Sequence, residues 1–61
     1  MIDLSSRFVQ AALSVKRLQQ PQLAELAWHL HEMDRKRQAV KGKPMSDDHL
    51  KQEAWAWARS R

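Results

Sequence analysis

The chain has no cysteine and no tyrosine, and only one glycine, one phenylalanine and two prolines in 61 residues. Without cysteine there is no disulfide to constrain the unfolded state and no thiolate to hold a structural zinc. His29, His31 and His49 alone do not make a zinc site of the usual structural kind. A cysteine nucleophile, a Gly-rich phosphate loop and a serine with an obvious base nearby are all missing, so neither catalysis nor a cofactor is expected. No window approaches the roughly 20 apolar residues that a spanning helix needs. The opening "MIDLSSRF" has neither the basic n-region nor the apolar stretch of a signal peptide, and the expectation is a cytoplasmic protein without membrane attachment.

Size sets the next bound. A chain this short has room for one domain, over residues 1–61, and folding removes only about 60% of the surface that the unfolded form exposes. Its stability is marginal without disulfides or metal, which leaves association with another chain as the remaining support.

The scarce glycine and prolines divide the chain. Pro21 suits the first turn of a helix and disfavours continuation of the one before it. In "KGKPM" at 41–45, Gly42 stands where a helix C-cap belongs and Pro44 lies just beyond it. Ser46 then offers an N-cap with Asp47 and Asp48 in the first turn behind it. The expected architecture is all-α: three helices over about 3–18, 21–41 and 46–60, with a long central one, forming a homodimeric bundle. Charges follow the helix ends, with Asp3, Asp47 and Asp48 at N-termini and Lys16, Arg17, Arg35, Lys36, Arg37, Lys41, Arg59 and Arg61 at C-termini. The helix macrodipole favours this placement, so much of the net charge of +4 needs no ligand to explain it.

The faces carry the functional argument. In the first helix Leu4, Phe8, Ala11, Val15 and Leu18 form a stripe, and Val9 and Leu13 form a second apolar pair off it. In the second, Leu23, Leu26, Leu30, Met33 and Val40 form the stripe, while Trp28 points to the other side beside Ala24, His31 and Arg35. In the third, Leu50, Ala54, Trp57 and Ala58 share a stripe, which makes Trp57 core. Trp55 stands about 160° away from Trp57, flanked by Lys51 and Arg59 one turn to either side. Trp28 and Trp55, with Val9 and Leu13, are more apolar surface than a monomer of this size accounts for. A second copy is expected to cover Val9, Leu13 and Trp28.

Two polar patterns compete with that reading. In "ELAWHLHE", Glu25, His29 and Glu32 fall at i, i+4 and i+7; the expectation is a solvated strip and not a metal or acid/base site. The run "RKRQAVKGK" carries Arg35, Lys36, Arg37, Lys41 and Lys43 with no acid, enough for contact with a few phosphates. "PQLAELAWHL" resembles the first helix of a helix-turn-helix repressor over ten residues, which implies DNA binding. The tight turn that should follow is absent, because "HEMDRKRQAVKG" continues helically, and the candidate recognition helix would present Asp47 and Asp48 to phosphates.

The function expected from these residues is that of a small non-enzymatic regulatory or adaptor protein, of inhibitor or anti-activator type. It docks on a larger protein such as a transcription factor, with Trp28 and Trp55 as apolar anchors and Arg35, Arg37, Lys51 and Arg59 steering towards an acidic surface. The alternative is a DNA-binding regulator using the basic run.

Overall fold

A computed structural model describes residues 6–60, and these form three helices and no strand: α1 (Arg7–Leu13), α2 (Gln20–Lys41) and α3 (Asp47–Arg59). None of them is long and apolar enough to cross a membrane. Arg7, at the start of α1, lies 3.6 Å from Asp47 at the start of α3. Arg17, beyond the end of α1, donates at 3.4 Å to the carbonyl of Ala58 near the end of α3. The first segment therefore runs in the same direction as α3. The late part of α2 meets the starts of both, through Asp34, so α2 runs opposite to them.

Local chemistry sets most of the boundaries. Ser6 caps α1, its hydroxyl accepting from the Phe8 N–H at 3.1 Å. Pro21 sits in the first turn of α2, and the Gln19 N–H donates to the Gln22 side chain at 3.2 Å. Gly42 ends α2 in the left-handed region at φ 71°, with its N–H on the Gln38 carbonyl. Ser46 caps α3 by accepting from the His49 N–H at 3.1 Å, and Asp47 and Asp48 occupy the first turn.

The first helix is shorter than the expected span to residue 18. Its last turn tightens, with the N–H groups of Ser14 and Val15 bonding three residues back to Ala11 and Ala12. The Ser14 hydroxyl takes the Ala11 carbonyl as well, at 2.6 Å, a side-chain bond that competes with continuation of the helix. Val15 nonetheless enters the core and Leu18 packs against it. The expected positions of Asp3 and Leu4 lie outside the described residues.

The core gathers Val9, Ala11, Ala12 and Val15 from the first segment, Leu26, Ala27 and Leu30 from α2, Met45 from the connection, and Leu50, Ala54 and Ala58 from α3. Its alanines let the helices approach closely. The fully enclosed Leu26, Leu30 and Leu50 each contribute roughly 1.5–3 kcal/mol. Trp57 packs against the core, as its stripe implies. Val40 does not, being 82% exposed. At about 1.5 Å per residue, the 22-residue α2 outruns the 13-residue α3, and Val40 lies on the overhang. Met45 closes that end of the core instead.

Candidate docking surface

Trp55 stands on the outer side of α3, 43% exposed. With Lys51, Gln52 and Arg59 it lines an open depression of about 470 Å³. Lys51 and Arg59 lie one turn before and one turn after the indole, so their aliphatic stems reach along it and their charges frame it. Neither forms an ion pair with a described residue. Past Lys51 the surface continues into a smaller hollow of about 180 Å³, lined also by Arg7, Gln10, Ala11 and Asp47. Arg7 and Gln10 escape a reading of helix stripes because they reach this rim from another helix.

Trp28 is 56% exposed on the outer side of α2. Its ring stacks on His31 at 5.4 Å, and His31 meets the edge of Phe8 at 5.2 Å. The Nδ1 of His31 is enclosed with no hydrogen-bond partner; the Glu32 carboxylate, at 4.0 Å, is beyond hydrogen-bond reach. His31 thus acts as an aromatic spacer that ties Trp28 to α1. Arg35 is exposed and 3.9 Å from Glu32. Arg37 is placed differently from Arg35: half-buried, with an enclosed and unpartnered Nε. Of the remaining basic run, Lys36, Lys41 and Lys43 are exposed.

Val9 needs correction. It is not on a dimer surface but 8% exposed inside the monomer's own core. The reason is that α1 packs on both α2 and α3, and two neighbours bury a wider arc of a helix than one does. Leu13 is 46% exposed and stays on the surface. Glu25, His29 and Glu32 do not converge: no group of three metal-ligating side chains occurs among the described residues.

Asp34 was not singled out by the sequence, yet it is the buried polar centre of the fold, 4% exposed. Its Oδ1 accepts from Arg7 Nη2 at 3.0 Å and from the Met45 N–H at 2.8 Å, and its Oδ2 accepts from Gln38 Nε2 at 2.6 Å. Arg7 Nη1 donates in turn to the Met45 carbonyl at 2.7 Å. The signal was available, since Leu26, Leu30 and Asp34 make one i, i+4 row. These bonds satisfy Asp34 and fix the start of α1 and the α2–α3 connection to α2, so the docking surface stands on a braced frame. No family model, curated protein or solved structure matches the chain.

Proposed function

We propose that this chain is a non-enzymatic regulatory or adaptor protein of inhibitor or anti-activator type, acting in the cytoplasm, that docks on a larger protein through the Trp55 face of α3. The observation that carries the reading is a large indole, 43% exposed, between two cations that have no partner among the described residues. Burying such a ring contributes roughly 1.5–3 kcal/mol, and tryptophan and arginine are enriched among the residues that dominate interfaces. Lys51 and Arg59 steer the encounter and select an acidic rim on the target, such as a transcription factor presents. Arg35 extends the basic rim on the α2 side, and Trp28 offers a second anchor. The homodimer belongs to the same reading, with Leu13 and Trp28 as its remaining surface candidates.

The test is capture of partners on tagged protein from a nuclease-treated lysate, with wild type and Trp55→Ala side by side. A dominant protein that survives nuclease and is lost with Trp55→Ala supports docking. The second reading, DNA binding, rests on the exposure of Arg35, Lys36, Lys41 and Lys43, with Arg37 beside them. It takes first place if recovery disappears with nuclease and falls steeply with salt.

A further inference from the structure

We propose that, in the absence of a larger partner, a second copy of this chain covers Trp55: the Trp28 face of α2 in one copy packs antiparallel on the Trp55 face of α3 in the other. The inference rests on the homodimer reading and specifies its interface.

The outer side of α2 presents Glu25, Trp28, Glu32 and Arg35, spaced three, four and three residues apart, and that of α3 presents Asp48, Lys51, Trp55 and Arg59, spaced three, four and four. Residues at such spacings share one side of a helix. Seven of the eight are exposed and Glu32 is half-buried. Set antiparallel with the two indoles opposed, the rows match throughout: Glu25 faces Arg59, Glu32 faces Lys51, and Arg35 faces Asp48. A parallel setting matches the two glutamates only and leaves Arg35 and Asp48 without counterparts. The pattern arises because α2 carries acids and no Lys or Arg from Pro21 to Asp34, whereas this flank of α3 is basic around its tryptophan.

Because α2 and α3 are antiparallel within the chain, a second copy related by a two-fold axis parallel to these helices sets its α3 antiparallel to α2 and its α2 antiparallel to α3. Such a pairing covers Trp28 and Trp55, two of the four large apolar side chains exposed among the described residues. A consequence is regulatory: the dimer hides Trp55, so self-association and docking on a larger protein are mutually exclusive.

The test is sedimentation of the purified chain alone, with Glu32→Lys and Lys51→Glu. Each variant places like charges opposite one another at both symmetry-related contacts and should weaken the dimer on the order of tenfold, with unchanged circular dichroism. An equimolar mixture of the two restores opposite charges at both contacts and should re-form the dimer as a heterodimer. Four results overturn the proposal: wild type that stays monomeric at every concentration reached, dimers indifferent to both reversals, variants that weaken but are not rescued by mixing, or open-ended assemblies in place of a closed dimer. The first and the last also remove the homodimer reading; the second and third leave a homodimer standing with a different interface. None bears on docking to a larger protein, which the capture experiment tests separately.

Discussion

Replacing Asp34 by alanine removes the carboxylate on which three parts of the chain converge. It deletes the acceptors of Arg7 Nη2, the Met45 N–H and Gln38 Nε2. Of these donors, the Met45 N–H is the most enclosed, Met45 being 2% exposed. A buried donor left without an acceptor costs about 1–3 kcal/mol. The Arg7 guanidinium loses a buried counter-charge, but its side chain is 37% exposed, so water and Asp47 recover part of that loss. The sum is about 3–4 kcal/mol, in line with the breaking of a buried ion pair from one side. A domain of this size has only about 3–9 kcal/mol in total, so Asp34→Ala should be largely unfolded or should melt far below wild type. Asp34→Asn keeps an acceptor for Met45 and should cost markedly less. Urea unfolding followed by circular dichroism measures both, and a cycle with Arg7→Ala isolates the pair. An Asp34→Ala protein within about 0.5 kcal/mol of wild type would refute the bracing role.

Three further outcomes follow from the same packing. Val9→Asp places a charge in the monomer core and should unfold the chain rather than yield a folded monomer; a folded, monomeric Val9→Asp in sedimentation would return Val9 to the surface. Trp57→Ala should cost about 2–4 kcal/mol by opening the core, whereas Trp55→Ala should leave the melting temperature within a few degrees, and thermal melts showing the reverse order would exchange the two faces. Gly42→Ala meets no neighbouring atom, so its cost is the left-handed backbone alone, about 1–2 kcal/mol; a neutral result in urea unfolding would mean that α2 ends in another way.

The ends of α2 and the start of α3 are legible in the sequence because their chemistry is local: Pro21, Gly42 and Ser46 act on the residues next to them. The end of α1 is harder to read because two local rules conflict there. Its apolar period runs on through Val15 and Leu18, and both do pack, while Ser14 already closes the helical hydrogen bonding. The opposed placement of Trp55 and Trp57 follows from helical rotation alone and is readable without a structure. Val9 is misread because stripe analysis assigns one neighbour to each face, and α1 has two. Asp34 is visible as a carboxylate in an apolar row, but its partner Arg7 is 27 residues away, and no local rule connects them. The rim of the docking surface is likewise assembled from α1 and α3, so only its α3 half, Lys51, Trp55 and Arg59, can be found from spacing.

The account turns on Trp55 as the anchor for a larger protein. Its most direct test is calorimetric titration of the captured partner with wild type, Trp55→Ala and Trp28→Ala. The account predicts that Trp55→Ala weakens binding by about thirtyfold or more, the loss of 2 kcal/mol or above that marks an interface hot spot, with the fold unchanged. An affinity for Trp55→Ala within twofold of wild type would contradict it.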